Sequence, residues 1–217
     1  MIEVVIWGAS GHAKVVADIL RSADGVSVAG FLDDQDLSRR GERFCGAEIF
    51  GGADALDALW ERGIRHAIVA FGDNVRRVEA GSRLETRHFS LVRAVHPAAT
   101  IAIDATVGEG TMVAAGAVIS SSARIGRHVI VNTHASVDHE CVVEDGAQIS
   151  PGANIGGGAK IGRHATVGIG AAVIEKITIG ANSIVGAGAV VIDDVPPNVL
   201  VVGVPARIKK YLVVPQS

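Results

Sequence analysis

The sequence is poor in the residues on which several classes of protein depend. Its 217 residues include two cysteines, Cys45 and Cys141, too few for the disulfide framework of a small secreted protein. The formal net charge of -3 disfavours nucleic acid as a partner. No apolar run reaches the roughly 18 residues of a membrane helix, and the N-terminus lacks a basic region and a cleavage site. We therefore expect a cytoplasmic protein that binds neither nucleic acid nor a membrane.

Aromatic residues are also scarce, at 4% of the chain, whereas glycine is abundant, with 27 residues. A core with so few rings must be filled by valine, isoleucine and alanine. From Val95 onward a repeat with a period of six supplies them, in seventeen hexads without an insertion. The fifth position of the hexad is mostly alanine, and the second is often glycine, which we expect to relieve strain at a turn. The first position is always valine or isoleucine: Val95, Ile101, Val107, Val113, Ile119, Ile125, Val131, Val137, Val143, Ile149, Ile155, Ile161, Val167, Val173, Ile179, Val185 and Val191.

A period of six fits neither a helix nor a simple strand, but it suits a short strand followed by a sharp turn. Three such hexads close one triangular coil. We therefore predict a left-handed parallel β-helix of hexapeptide repeats for residues 95–195, because a sandwich rich in glycine and alanine would not keep register for so long. Pro196 and Pro197 should stop the coil. Residues 196–217 are then expected to form a C-terminal cap, with a helical turn at Ala206–Tyr211.

Residues 1–94 show a different sequence pattern, in which short apolar strands alternate with amphipathic helices. This order predicts a small α/β domain with a parallel, Rossmann-like sheet. The expected strands are Ile2–Trp7, Val26–Leu32 and His66–Phe71, and the expected helices are Ala13–Ser22, Ala53–Arg62 and residues 74–84.

Four motifs in these two halves suggest a family. They are GASGHAKV, FLDD, NTHASVDHE and GVPAR. With the α/β half and the hexads, they resemble the bacterial nucleotide-sugar acetyltransferases, which include the bacillosamine-pathway and perosamine N-acetyltransferases and the related sialic acid O-acetyltransferases. The resemblance implies a homotrimer that moves acetyl from acetyl-CoA, without a metal, to the amino group of a nucleotide-linked amino-deoxy sugar, at C4. An O-acetyltransferase remains the alternative, and UDP, GDP and dTDP all remain possible nucleotides.

The candidate catalytic residues come from the spacing of the hexads. His139 occupies a third position, at a corner of the prism, so that its ring should project outward as a general base. Glu140 follows directly and would fix the tautomer of the imidazole. Residues three hexads apart stack, which sets the run Gly156–Gly158 above His139, with open space and bare N–H groups. The N–H of Gly157 is the candidate oxyanion donor, and the resemblance implies the same three roles.

The remaining binding residues form two groups. Acetyl-CoA is expected in a groove between neighbouring subunits, and Cys141 should be buried and inert. The candidate cofactor residues are Gly156, Gly157, Gly168, Gly186, Gly203, Pro205, Arg207 and Lys209. The candidate nucleotide-sugar residues lie mostly in loops after parallel strands, where helix N-termini attract phosphate. They are Gly8, Ser10, Gly11, His12, Lys14, Asp33, Asp34, Gly72, Asp73, Asn74, Asn132 and Asp138. Asn132 lies seven residues before His139 and is expected to face the same corner.

Two other functions compete with acetyl transfer. A zinc hydratase of the carbonic-anhydrase type also uses a left-handed prism, and His134 and His139 have the spacing H-x4-H of two of its ligands. The third ligand would fall near Ala98, where there is no histidine, and two ligands are too few for such a site. A scaffold or sensor that only binds nucleotide is disfavoured by the His139–Glu140 pair beneath a triple glycine.

Overall fold

In the computed structural model, which describes residues 1–213, the chain divides into two units. The first spans Met1–Pro97 and the second begins at Ala98. The division falls just beyond the predicted end of the α/β domain at residue 94.

The first unit contains a six-stranded sheet and three helices. The strands are β1 (Ile2–Trp7), β2 (Val26–Leu32), β3 (Arg43–Phe44), β4 (Ala47–Ile49), β5 (His66–Val69) and β6 (Ser90–Leu91). The helices are α1 (Gly11–Ser22), α2 (Leu56–Glu61) and α3 (Asn74–Thr86), with short 3₁₀ turns at Leu37–Arg39 and Ala53–Ala55.

The six strands form one sheet in the order β3-β4-β2-β1-β5-β6, in which every pair is parallel except the hairpin of β3 and β4. The sheet therefore has the predicted α/β character. Strands β3, β4 and β6 were not predicted, because they are too short to show a periodic pattern. The core of this unit is apolar, and Trp7, Leu32 and Leu84 are among its buried members.

The second half of the chain is a series of very short strands, one per hexad. Each strand joins the last position of one hexad to the first position of the next. The bounds are Ala94–Val95, Thr100–Ile101, Thr106–Val107, Met112–Val113, Val118–Ile119, Arg124–Ile125, Ile130–Val131, Ser136–Val137, Val142–Val143, Gln148–Ile149, Asn154–Ile155, Lys160–Ile161, Thr166–Val167, Ala172–Val173, Thr178–Ile179, Ile184–Val185 and Val190–Val191, numbered β7 to β23.

Strands that lie three hexads apart pair in parallel, which gives the prism three faces. On one face Val137 pairs with Ile119 below and with Ile155 above. That face carries β8, β11, β14, β17, β20 and β23, and the next carries β9, β12, β15, β18 and β21. The third carries β7, β10, β13, β16, β19 and β22. From Val113 onward the hexad openers are all buried, so the β-branched residues fill the interior as predicted.

The corners of the prism explain where glycine is needed. From Gly110 to Gly188 the fourth position of each hexad adopts a left-handed conformation, as at Glu140 with φ of 59°. The second-position glycines do not, so the expectation that they relieve a strained turn is wrong. A Cβ atom on Gly156, for example, would lie 2.6 Å from the amide nitrogen of Glu175 in the coil above. These glycines are required by the close stacking of successive turns.

The C-terminal end of the prism differs from the prediction in two ways. The last coil is shorter than the others, because Ile179 is bridged by Val195 instead of by the residue three full hexads further along the chain. Strand β24 (Val199–Val202) then continues the third face beside β22. The segment predicted as a helical turn is strand β25 (Arg207–Tyr211), antiparallel to β24. The end of the predicted cap, residues 214–217, lies outside the described residues. Within residues 1–213 no helix is long and apolar enough to cross a membrane.

Candidate functional site

A cleft of about 810 Å³ opens at the carboxyl ends of β1, β2 and β5 in the first unit. This is the edge of the sheet at which ligands bind in open α/β folds. Three loops that follow these strands meet there, as the sequence predicted. The cleft is lined by Gly8, Ser10, Asp33, Asp34, Gly72 and Asp73 from the predicted set.

The acidic pair in this cleft is held by the protein itself. Asp33 accepts hydrogen bonds from the N–H groups of Gln35 and Asp36 at 3.0 and 3.3 Å, and its other oxygen binds Arg39 at 2.6 Å. Asp34 accepts hydrogen bonds from Nε1 of Trp7 and from the N–H of Ala53, both at 2.7 Å. Both carboxylates therefore stabilise the loop that contains them. Fewer of their lone pairs remain to accept hydrogen bonds from a nucleotide.

One face of α3 also lines the cleft, and the sequence analysis missed it. Arg76, Glu79, Ala80 and Arg83 contribute to the lining. The Arg83 guanidinium lies 5.2 Å from the centre of the Trp7 ring. Neither arginine side chain makes an ion pair with another of the described residues. Their spacing along α3 was the available signal, since residues two helical turns apart lie on one side of a helix.

Four predicted nucleotide-sugar residues of the first unit lie outside this lining. Gly11 begins α1, and Asn74 begins α3 and accepts a hydrogen bond from Arg77 at 2.8 Å. Lys14 points its ammonium group toward the Phe44 ring, 5.9 Å from the ring centre. Burial, together with the charge of Arg77, lowers the pKa of His12 to about 4. His12 is therefore neutral at pH 7 and does not supply the positive charge expected at a diphosphate.

In the second unit, the structure places His139 and Glu140 at one corner of the prism. Nδ1 of His139 lies 3.2 Å from Oε2 of Glu140, and both side chains are exposed. The backbone N–H of His139 donates to the Asp138 carboxylate at 2.7 Å, and the N–H of Glu140 donates to the carbonyl of Ser121 in the coil below at 3.0 Å. A proton on Nδ1 shared with the carboxylate leaves Nε2 free to act as a base.

Gly157 lies directly above the ring of His139. A Cβ atom on Gly157 would stand 2.5 Å from Nε2, so the two residues face each other across one coil. The carbonyl of Gly157 accepts the N–H of Lys176 at 2.9 Å, but its own N–H has no partner among the described residues. A donor without a partner beside an imidazole is the arrangement that stabilises an oxyanion.

The other two glycines of the run are not bare donors. The N–H of Gly156 donates to the carbonyl of Val173, and that of Gly158 donates to the carbonyl of His139, both at 2.8 Å. The sequence-based expectation of several bare N–H groups is therefore wrong at these two positions. The reason is that the backbone hydrogen bonds between successive coils use the amides of the second and fourth hexad positions. Within this run, only the third-position amide of Gly157 is left without a partner.

Three predicted residues lie at a different corner of the same chain. Asn132 was expected to face the corner of His139, but it belongs to the preceding hexad and therefore lies at the preceding corner of the prism. Its Oδ1 accepts the N–H of Thr133 at 2.8 Å. A corner recurs only at every third hexad, so a residue in the hexad before that of His139 belongs to the neighbouring corner. Gly168 and Gly186 are at that corner too, and their N–H groups bind the carbonyls of Val185 and Val201, both at 2.8 Å.

The predicted cofactor residues near the C-terminus lie in and beside the last hairpin. Gly203 and Pro205 form the turn between β24 and β25, and Arg207 and Lys209 are exposed on β25. The Arg207 guanidinium lies 3.3 Å from Oδ2 of Asp193.

Comparison with known proteins identifies the family to which these sites belong. Residues 3–84 match the family model described as PglD N-terminal domain. The whole chain is similar to a histidine-to-asparagine mutant of perosamine N-acetyltransferase from Caulobacter crescentus, solved in complex with CoA and GDP-perosamine. The two are 42% identical with a TM-score of 0.91, over 95% of this chain and 96% of that one. The chain belongs to the nucleotide-sugar N-acetyltransferases.

Further members of this family support the same assignment. The acetyltransferase domain of PglB from Neisseria gonorrhoeae is 32% identical, with a TM-score of 0.87, over 95% of this chain and 98% of that domain. UDP-N-acetylbacillosamine N-acetyltransferase from Bacillus subtilis is 37% identical over 114 residues, which are 52% of this chain and 51% of that protein. The chain thus matches about half the length of that curated relative. The resemblance and the predicted left-handed parallel β-helix are confirmed.

One further residue of the second unit was predicted to be buried and inert. Cys141 is buried, its thiol lies 3.1 Å from the carbonyl oxygen of Gly156, and burial raises its pKa. Such a thiol is a poor nucleophile. Within residues 1–213 no group of three or more histidine, cysteine, aspartate or glutamate side chains comes together that could hold a metal ion.

Proposed function

We propose that this chain transfers an acetyl group from acetyl-CoA to the amino group of a nucleotide-linked amino-deoxy sugar, at C4. The observation that carries the proposal is the pairing of His139 with the unpartnered N–H of Gly157. The perosamine enzyme to which the chain is similar was solved with CoA and an amino-sugar nucleotide, and a neighbouring structure of the PglB domain contains acetyl coenzyme A.

The reaction is a direct acyl transfer with one proton to move. The amine nitrogen attacks the thioester carbonyl carbon, and Nε2 of His139 takes the proton that the nitrogen loses. The carbonyl oxygen becomes an oxyanion, which accepts a hydrogen bond from the N–H of Gly157. Collapse breaks the carbon–sulfur bond, and the imidazolium returns its proton to the leaving thiolate of CoA. Glu140 stabilises the imidazolium in between.

The nucleotide diphosphate would occupy the cleft of the first unit. Helix α1 begins there with Ser10 as its N-cap, whose side chain makes no capping hydrogen bond, so the first-turn N–H groups can face a phosphate. Arg76 and Arg83 add two positive charges to the lining. Because Arg39 is engaged by Asp33, the α3 arginines are the better candidates for the diphosphate.

We also propose that the protein is a homotrimer with acetyl-CoA between neighbouring subunits. Within one chain, His139 lies at one corner of the prism, whereas Gly168 and Gly186 lie at the preceding corner. A ligand that contacts both groups therefore requires two chains side by side. Sedimentation of the purified protein tests the stoichiometry.

The function is tested by release of free thiol from acetyl-CoA with a panel of nucleotide-4-amino sugars bearing UDP, GDP or dTDP. Each amino sugar is matched by the 4-hydroxy sugar, so that an O-acetyltransferase would be recognised by its acceptor. We expect turnover only with an amino sugar, and a loss of about 10²–10⁴ in kcat for His139→Ala. Turnover with the hydroxyl acceptors alone, or a folded His139→Ala protein with normal kcat, would overturn the proposal.

A further inference from the structure

A buried arginine lies behind one wall of the cleft in the first unit, and it belongs neither to the lining nor to the residues predicted from the sequence. Arg77 is only 1% exposed, although it lies in α3 directly after Arg76, which lines the cleft. A guanidinium loses hydration when it is buried, so its contacts within the protein must offset that loss. The contacts of Arg77 therefore indicate what its charge does.

Arg77 binds the loop between β5 and α3. One nitrogen, Nη1, donates to the carbonyl of Phe71 at 2.9 Å, and the other, Nη2, donates to Oδ1 of Asn74 at 2.8 Å. Its backbone N–H donates to the carbonyl of Asp73 at 3.0 Å. Phe71, Gly72 and Asp73 all line the cleft. The guanidinium is therefore held in a fixed position directly behind the loop that forms one wall of the cleft.

The same guanidinium offsets a carboxylate that is poorly placed for the binding of an anion. Asp73 is the N-cap of α3, and its side chain accepts the N–H of Arg76 at 2.9 Å. This carboxylate therefore occupies the end of α3 that would otherwise attract a phosphate. Burial lowers the pKa of Arg77 to about 10, and the charge of Asp73 acts on it in the opposite direction. The two charges are thus close enough to interact.

The charge of Arg77 also reaches the beginning of α1. His12 is the second residue of that helix, and burial together with the charge of Arg77 lowers its pKa. A positive potential from Arg77 therefore acts where the first turn of α1 begins beside the cleft. Because Arg77 is surrounded by protein, mobile ions screen this potential less than they screen that of the exposed Arg76.

The lining of the cleft itself holds more acidic than basic side chains. The acidic residues are Asp33, Asp34, Asp36, Asp73 and Glu79, and the basic residues are Arg39, Arg76 and Arg83. Arg39 is already bound to Asp33. A ligand with several negative charges is favoured in such a cleft only where positive potential is concentrated near those charges. The beginning of α1, with Arg77 behind it, is such a place.

We propose that Arg77 is a positioning residue that makes the cleft selective for a diphosphate, by fixing a buried positive charge behind the loop between β5 and α3. The inference rests on the proposed function, because it assumes that the nucleotide diphosphate binds in this cleft. Arg77 acts through its field and through the loop, without touching the ligand. Its contribution should therefore grow with the number of phosphate charges, whereas a merely structural residue would affect nucleoside and nucleotide alike.

The test compares the affinities for a nucleoside and for its diphosphate, measured by NMR titration of the full-length protein with the uridine, guanosine or thymidine series. Arg77→Gln removes the charge and keeps one donor for the loop. We expect its Kd for the diphosphate to rise about 10-fold, and its Kd for the nucleoside to stay at wild type. The KM for the amino-sugar nucleotide should rise with the Kd for the diphosphate, whereas the KM for acetyl-CoA should not.

Three further variants separate the charge from other effects. Arg77→Lys keeps the charge but loses the paired donation to Phe71 and Asn74, so the ratio of the two affinities should stay within about threefold of wild type. Arg87→Gln removes an equal charge at the far end of α3. Leu84→Val removes packing from a buried position of the same helix. Both of these controls should keep the wild-type ratio.

The imidazole of His12 reports on the charge independently of any ligand. Its pKa, followed by NMR, should rise in Arg77→Gln, because one of the two causes that lower it is removed, and it should stay low in Arg77→Lys. A residue that only stabilised the loop would not produce this difference between the two variants.

The outcomes distinguish this inference from the proposed function. Equal losses for nucleoside and diphosphate in Arg77→Gln, or an equal fall of the ratio in Arg77→Lys, would overturn the inference. If Arg77→Gln does not fold, the ratio in Arg77→Lys decides, and a fall of about 10-fold there would overturn it. Active wild-type protein with an unchanged ratio in folded Arg77→Gln would overturn the inference alone. Wild-type protein that neither binds a nucleoside diphosphate nor acetylates an amino-sugar nucleotide would remove the proposed function as well.

Discussion

Gly157 and Nε2 of His139 are stacked so closely that a single added carbon would lie 2.5 Å from the ring nitrogen. The two residues are separated by three hexads, which make one circuit of the prism. In the same stacking the N–H of Gly157 has no hydrogen-bond partner among the described residues, whereas the N–H groups of Gly156 and Gly158 both donate to carbonyls of neighbouring coils. A base and an oxyanion donor are thereby brought together by backbone registry, with no side chain required on one of the partners.

The first prediction concerns this stacking. Gly157→Ala should lower kcat by about 10²–10³, because the new methyl group displaces His139 and disturbs the oxyanion donor. Steady-state acetyl transfer and circular dichroism together check the effect on a folded protein. Gly25→Asn is the control, since Gly25 lies outside the prism, between α1 and β2, and has open space around it with a φ of 77° that asparagine tolerates. Normal kcat in Gly157→Ala would contradict the role given to the stacking.

The second prediction concerns Glu140, whose carboxylate lies 3.2 Å from Nδ1 of His139. Glu140→Gln keeps the shape and one acceptor oxygen, but it removes the charge that stabilises the imidazolium. We expect kcat to fall about 10²-fold while the KM values change less than twofold. Glu175→Gln, at the same corner one coil above Gly157, is the matched control. Equal losses in the two variants would mean that Glu140 acts only through general surface charge.

Most of the correct predictions about the second unit follow from the six-residue period of its sequence. A fixed spacing of six implies vertical registry, and registry alone brings His139 to Gly157. The same reasoning failed where the period breaks, because Val195 pairs with Ile179 before three full hexads have passed. It also failed at Asn132, which was assigned by distance along the chain although a corner is shared only by residues separated by whole coils.

The first unit was predictable in its strands and less so in its cleft. The loops after β1, β2 and β5 meet because parallel strands end at one edge of a sheet. Arg76 and Arg83 were missed because charged residues on an amphipathic helix usually belong to its solvated face. The packing of α3 on the sheet decides which of them line the cleft, and no local pattern in the sequence encodes that choice.

The third prediction follows from these two arginines. Arg76→Gln and Arg83→Gln should each raise the Kd for the nucleoside diphosphate about 10-fold, because each removes a charge-assisted hydrogen bond to a phosphate. Titration calorimetry with UDP, GDP and dTDP measures the effect and also shows which base is preferred. Arg87→Gln is the control, because Arg87 caps the opposite end of α3 and pairs with Asp57. Unchanged affinity in both cleft variants would place the diphosphate elsewhere.

The last prediction concerns the stability of the first unit in mild acid. Nε2 of His12 is buried and has no hydrogen-bond partner among residues 1–213. Burial, with the charge of Arg77, lowers the pKa of His12 to about 4 from an ordinary value of 6.5. Arg77 is itself buried and donates to the carbonyl of Phe71 at 2.9 Å, so this positive charge is fixed in place.

Between pH 6.5 and pH 4 His12 binds a proton in the unfolded chain but stays largely neutral in the folded chain. The free energy of unfolding must therefore fall as the pH is lowered through this window, by about 2 kcal/mol at pH 4.5. His12→Gln has no such proton, so its loss of stability over the same range should be smaller by that amount. Trp7 and Trp60 both belong to the first unit, and their fluorescence during urea unfolding at pH 7.5, 5.5 and 4.5 reports on it directly. Parallel curves for wild type and His12→Gln would show that the imidazole reaches water or finds a partner before the unit unfolds.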